Sequence, residues 1–376
     1  MKIKKNKLTC LICGARNTNT KLKYNMPIFM GTVDKDKNQK DLIECMNFDV
    51  CSKCGNVQIK SEINSSLLYK ENHNIGIIGN VWKEHYNLFF KFLSPSINNK
   101  NIIEISDPSA KLAKMANNFS SWTIVEPNPD FLPTGKIQLI HDYFGDKFNA
   151  KKQYDVIIHS HFMEHCSSVH SFLKKCNSLL VDNGIMIFSI PNLKLLLNIC
   201  TIPNNILHFE HTYFFDENTI KYLLNKNGFV IQNIKRYKNH SIFYKCKKSK
   251  RNIKTNIPKH NKALINKFKK LHKMSVLNIK NINKKLLNTT SKIYLFGAHV
   301  NSQYYIYNGL KQITGIIDNS PSKHNKRLYG TNYIVYSADV IKNIKNPIVI
   351  CSSVGGSYKK EIMKQLMALN KNVSFL

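Results

Sequence analysis

Four cysteines near the N-terminus constrain this 376-residue chain more than any other feature. They form two pairs, Cys10-x2-Cys13 and Cys51-x2-Cys54, each followed directly by a glycine. Each pair sets two thiolates on a tight knuckle, and two knuckles supply the four soft ligands of a tetrahedral zinc. Gly14 and Gly55 let the backbone turn with positive φ, so that amide N–H groups face the sulfurs. A redox dithiol normally opens a helix in a thioredoxin-like unit, and no such unit surrounds either pair. The pattern predicts a structural zinc on Cys10, Cys13, Cys51 and Cys54, closed to chemistry, in a module over residues 1–62.

The length allows two or three domains with sizeable cores. A hydrophobic content of 43% fits a soluble globular protein. Metal-type cysteine spacing, in place of a disulfide framework, points to a reducing cytoplasm. The basic N-terminus lacks the apolar core of a signal peptide, and LKLLLNICTIP is far short of the ~20 apolar residues of a membrane span. The formal charge of +33 raises nucleic acid as a partner. Lysine, asparagine and isoleucine are abundant throughout, however, as biased codon usage would produce. The densest basic runs, 245–254 and 267–285, lack the interleaved aromatics of a base-stacking platform. Attraction to an anionic substrate such as a nucleotide diphosphate, or to a membrane surface, accounts for the charge as well.

Beyond the module, an amphipathic helix is expected at 81–93, with Trp82, Tyr86, Phe89, Phe90 and Leu93 on one side. Apolar strands then alternate with helices, the signature of a parallel, doubly wound sheet. The strands are 101–105, 122–127, 136–141, 154–160 and 184–191, the last entered through a DNG turn. Helices are expected at 109–118, about 167–180 and 217–227, with Asn227-Gly228 as a C-cap. FVIQNIKRY and HSIFYKCK supply a closing β pair. Residues 247–262 read as a basic linker and 261–287 as a long basic helix. Strands at 292–299, 314–321 and 346–355 with a helix at 357–369 give a second α/β unit.

In such a sheet, ligand groups meet the carboxyl ends of the first strands. Here the first strand carries Glu104 and runs into Ser106-Asp107-Pro108-Ser109, without a glycine-rich loop. Asp107 and Ser109 are also ordinary caps for the next helix. The second strand ends in Glu126, placed to accept hydrogen bonds from ribose hydroxyls. Asp142, just past the third strand, completes the candidate cofactor set of Glu104, Ser106, Asp107, Glu126 and Asp142.

YDVIIHSHFMEHCSS, at the fourth strand, resembles the YDVIxxxxxxEH segment of class I S-adenosylmethionine-dependent methyltransferases. LHFEHTYFFDENTIKYLLNKNGF resembles a downstream EH-containing segment of the same enzymes. With the cysteine pairs in front, and with FGAHVNS and IIDNSPSKHNKRLYGT behind, the chain resembles the sugar C-methyltransferase family along most of its length. The resemblance implies an α/β architecture: a central doubly wound, Rossmann-like methyltransferase sheet, an N-terminal zinc-ribbon module and a smaller C-terminal Rossmann-like α/β domain. The implied divisions are 1–62, 63–246, a basic linker and helix at 247–290, and 291–376. The implied cofactors are S-adenosyl-L-methionine and a structural zinc, and the implied substrate is a nucleotide-linked sugar of surface-glycan synthesis. The family's base matches His211, with Glu210 beside it, and the histidine closing the fourth-strand segment matches His165. His208 stands where C-methylating members carry a tyrosine, so O- or N-methylation fits the same scaffold.

Methyl transfer from a sulfonium is an in-line displacement that needs an aligned nucleophile and a base active near neutral pH. Imidazole suits that base. Carbon methylation also needs stabilisation of an enolate, for which His165 and His208 are candidates. Strand alternation would place His159 and His161 on one face, with no third ligand evident for a metal. Two other functions remain open: an RNA methyltransferase, and a methyltransferase-like domain retired to a binding role.

Overall fold

The computed structural model describes residues 4–6, 8–16, 18–36, 40–68, 80–145, 148–150, 152–200, 202–203, 206–237, 240–250, 253, 255–259, 262–351 and 357–376. The N-terminal strands are β1 (Lys4–Asn6), β2 (Thr18–Pro27), β3 (Thr32–Val33), β4 (Ile43–Cys51), β5 (Val57–Ile59) and β6 (Ser61–Ile63). β2, β4 and β5 form an antiparallel sheet, and β1 pairs with β6. The helical turn α1 (Ser65–Leu68) and the helix α2 (Asn80–Leu93) precede the central sheet.

That sheet is formed by β7 (Asn101–Ile105), β8 (Ser121–Val125), β9 (Ile137–Ile140), β10 (Tyr154–Ser160), β11 (Leu180–Pro191), β12 (Phe229–Arg236) and β13 (Ser241–Lys248). The intervening helices are α3 (Lys111–Met115), α4 (Val169–Leu179), α5 (Leu193–Ile199) and α6 (Glu217–Lys226). Strand order is β12-β13-β11-β10-β7-β8-β9, parallel except for the reversed β13. Ile102, Ile103, Ile157 and Ile158 are all buried, as strands covered on both faces require. From β7 the chain winds outward through β8 and β9, then returns to place β10 and β11 on the other side of β7. That reversal leaves a crevice at the carboxyl ends of β7 and β10, where doubly wound sheets bind ligands.

The C-terminal part comprises the long helix α7 (Lys262–Leu286), then β14 (Ile293–Phe296), α8 (Val300–Tyr307), β15 (Gly315–Ile317), β16 (Arg327–Leu328), β17 (Val335–Tyr336), β18 (Ile348–Cys351), α9 (Ser357–Leu369) and β19 (Ser374–Phe375). Its parallel sheet runs β17-β15-β14-β18-β19. Residues 352–355, expected to extend the strand at 346–355, lie outside the described residues, as does part of the expected linker.

Local chemistry explains where the elements differ from the sequence pattern. The helix expected over 109–118 shrinks to α3, because Ala110 sits in the left-handed region (φ 54°) and Ala116 is extended. The DNG turn lies inside β11, where Asn183 takes φ 63° and the β10–β11 register slips. α6 behaves as expected: Asp216 accepts from the Thr219 N–H at its start, and Gly228 turns at φ 79° after its end.

The N-terminal module shares its core with distant parts of the chain. Met26, Phe48 and Ile59 belong to one apolar cluster with Phe214, Phe268, Leu295 and Ile316. β3 pairs with β16, and Asp41 receives Arg327 through both guanidinium nitrogens and the Gly330 N–H at 2.6 Å.

Candidate functional site

At the crevice end of β7 the chain turns through Ser106 with φ 62°, a left-handed conformation that glycine would adopt without strain. The Asp107 carboxylate closes this turn. One oxygen accepts from the Ser109 N–H and hydroxyl at 3.0 Å each, and the other from the Lys111 N–H at 2.7 Å. An aspartate cap thus stands where a glycine-rich loop would be. Glu104 lies fully inside, accepting from the Trp122 indole N–H at 2.8 Å, and burial raises its pKa well above the usual carboxylate range. Glu126, one residue past β8, accepts from the Asn128 N–H at 2.9 Å, and the Ser106 N–H donates to the neighbouring Val125 carbonyl at 2.9 Å; burial raises the Glu126 pKa. Asp142 is exposed, with its carboxylate on the Tyr143 N–H. Of the cofactor candidates, Ser106, Asp107 and Glu126 therefore line one turn, Glu104 faces the interior, and Asp142 stands apart on the surface.

After β10 the chain makes a helical turn over Met163–His165 that buries Glu164. The Thr212 N–H donates to the Glu164 carbonyl at 2.8 Å, tying this turn to the segment that carries Glu210 and His211. The tie brings His165, His208, Glu210 and His211 into one cluster. His208 and His211 rings lie 3.7 Å apart, His165 meets His211 at 4.8 Å, and His165 Nδ1 lies 3.9 Å from the Glu210 carboxylate. His211 Nδ1 donates to the Ile206 carbonyl at 2.8 Å, which fixes Nε2 as the ring's proton acceptor. Burial lowers the His211 pKa to about 3, with the nearby His165 acting in the same direction, so the ring is neutral. The N-terminal module braces this segment: Ile59 donates to the Thr212 carbonyl at 3.2 Å, and Gln58 bridges to Tyr213.

Glu164 is the group that sequence reasoning passes over, although it precedes His165 in the same MEH triplet. Its carboxylate oxygens make no hydrogen bond among the described residues, and burial raises its pKa to about 8. Residues His159 and His161 do not share a face. His159 stacks on Phe188 at 4.9 Å inside the sheet core. His161 lies beyond the strand with φ 50°, which swings its ring to the opposite side, against His85 and His240.

Cys10, Cys13, Cys51 and Cys54 converge as the spacing predicts, with all four sulfurs within 4.8 Å of one another. Cys10 and Cys54 sulfurs are 3.5 Å apart, and those of Cys13 and Cys51 3.6 Å. Both following glycines turn at φ 74°. His170 Nε2 donates to the Ile12 carbonyl at 2.9 Å, which fastens the first knuckle to α4.

Residues 88–234 match the family model described as a methyltransferase domain. No curated protein sequence matches the chain. Among solved structures, the chain is similar to the N-methyltransferase NodS from Bradyrhizobium japonicum, at 11% identity over 46% of this chain and 100% of that one, with a TM-score of 0.35. It is also similar to an S-adenosylmethionine-dependent methyltransferase from Mesorhizobium loti, at 10% identity over 46% and 100% of the two chains, with a TM-score of 0.39. The matched residues include five strands of the central sheet, β7 to β11, whose parallel order β11-β10-β7-β8-β9 is that of a doubly wound fold. No helix among the described residues is long and apolar enough to cross a membrane. Residues 88–234 thus form a methyltransferase domain laid on a doubly wound sheet.

Proposed function

We propose that this methyltransferase acts on a nucleotide-linked sugar, with His211 as the base that accepts the substrate's proton. The observation that carries this reading is the convergence of His165, His208, Glu210 and His211 through the Thr212–Glu164 hydrogen bond, just past the carboxyl end of β10. S-adenosylmethionine, when bound, supplies an electrophilic methyl group. Glu126 would receive its ribose hydroxyls, since that carboxylate stands at the end of β8 beside the Ser106 turn. Asp107 holds the turn in shape, and Glu104 packs against Trp122.

His211 offers Nε2 to a substrate hydroxyl, or to a carbon acid next to a carbonyl. The low pKa keeps the ring unprotonated, and the positive charge that develops on proton uptake is opposed by burial and favoured by Glu210. His165 and His208 flank the ring and are placed to donate to an oxygen that gains charge during transfer. With a histidine rather than a tyrosine at 208, heteroatom transfer fits as well as carbon transfer. The net charge of +33 favours a substrate bearing a diphosphate.

The four cysteines fit a structural zinc. Four sulfurs at Zn–S distances of about 2.3 Å have tetrahedral edges of about 3.8 Å, close to the sulfur separations found here. The metal would stabilise the module whose β5 backs the His211 segment.

Mass spectrometry of a panel of nucleotide sugars, incubated with protein and S-adenosylmethionine, tests the substrate class. A gain of one methylene on a member of the panel, with S-adenosylhomocysteine formed in equal amount, is expected. Turnover on RNA with none on the panel would overturn it.

A further inference from the structure

Three histidines from distant parts of the chain converge at the crevice edge of the central sheet, next to the His211 cluster, with Glu164 between the two groups. His85 comes from α2, His161 follows β10, and His240 precedes β13. One ring nitrogen from each lies within 4.8 Å of the other two. Their focus is the Ser241 hydroxyl, 2.9 Å from His85 Nδ1, 2.8 Å from His161 Nε2 and 2.7 Å from His240 Nδ1. A single hydroxyl proton can serve one of these nitrogens only.

We propose that His85, His161 and His240 form a transition-metal site for a zinc-class divalent ion, with the Ser241 oxygen as a fourth ligand. Imidazole nitrogens are the preferred donors for such ions, which they bind at ~2.0–2.1 Å. Metal-bound histidines usually have their outer nitrogen hydrogen-bonded or facing a carboxylate, and the outer nitrogens of two rings here lie beside such groups. His161 Nδ1 faces the Glu164 carboxylate at 3.5 Å. His85 Nε2 meets the Ser160 hydroxyl at 3.0 Å, which is held in turn by Ser189 at 2.8 Å. The fully buried Glu164, whose oxygens make no hydrogen bond among the described residues, gains a compensating charge when the cation is present. Trp82 closes the site, its ring 4.4 Å from His240 and 5.2 Å from His161. The ion would clip α2 to the ends of β10 and β13, beside the switch-point crevice.

The test is metal stoichiometry of the full-length protein, stripped and reloaded with Zn2+ or Co2+, compared with His240→Ala and His85→Gln. The expected result is a loss of one metal equivalent per chain in either variant. In the cobalt protein, d–d absorption of a nitrogen/oxygen site should vanish while thiolate-to-cobalt charge transfer persists. Circular dichroism of each variant reports whether it is folded. The wild-type cobalt spectrum does not depend on any variant's folding, and a purely thiolate spectrum in it would overturn the proposal. So would unchanged stoichiometry in the folded variants.

Discussion

His165 Nδ1 lies 3.9 Å from the Glu210 carboxylate, and the same ring meets His211 edge-on with centroids 4.8 Å apart. His165 thus faces both residues of the Glu210-His211 pair, with Glu210 favouring the protonated His211 ring and His165 opposing it. Replacing His211 with alanine should lower turnover by about 10²–10⁴-fold, the usual contribution of a positioned general base. Glu210→Gln should have a smaller effect, since it leaves the base in place. Single-turnover methyl transfer checks both, and equal rates in wild type and His211→Ala would remove the base assignment.

Acid should destabilise the fold through the same histidine. The folded pKa of about 3 lies below the ordinary value of 6.5, so between these limits the unfolded chain holds a proton that the folded chain does not. Stability therefore rises with pH across that window and is lost as pH falls through it, by about 2 kcal/mol between neutrality and about pH 5 for this one group. Urea unfolding of wild type and His211→Gln at the two pH values measures it. The wild type should lose more, and identical losses would contradict the assigned burial effect.

The Asp41–Arg327 pair joins the N-terminal module to the C-terminal part, and both side chains are largely buried. Asp41→Ala leaves a guanidinium without its partner and should cost roughly 3 kcal/mol. Chemical denaturation, with limited proteolysis reporting separation of the module, would detect it. A double variant that also replaces Arg327 with methionine should recover part of the loss.

Cys51→Ser should remove one zinc equivalent and lower the melting temperature by roughly 5–10 °C, because a lost structural metal removes several kcal/mol. Plasma mass spectrometry and scanning calorimetry provide the two readings. A variant that keeps its zinc would show that the thiols are not the ligands.

Much of the architecture is legible in local sequence, for physical reasons. Apolar runs such as NIIEI and YDVII, short and alternating with helical stretches, read as interior strands, and Asn227-Gly228 marks the end of α6. What local pattern cannot show depends on contacts between remote residues. Thr32–Val33 finds its partner at Arg327–Leu328, and Asp41 its guanidinium almost the whole chain away. The convergence of His85, His161 and His240 depends on one left-handed residue after β10, which no periodicity announces. Glu104 looks like a strand-end ligand in sequence, yet pleat geometry turns it inward to Trp122.

The central claim is that the crevice between β7 and β10 holds S-adenosylmethionine despite its aspartate-capped, glycine-free turn. Isothermal titration calorimetry of wild type and Glu126→Ala with this cofactor tests it most directly. Saturable binding by wild type is predicted, weakened about 10–100-fold in Glu126→Ala as hydrogen bonds to a charged acceptor are lost. Absence of binding by the folded wild-type protein at millimolar cofactor would contradict it.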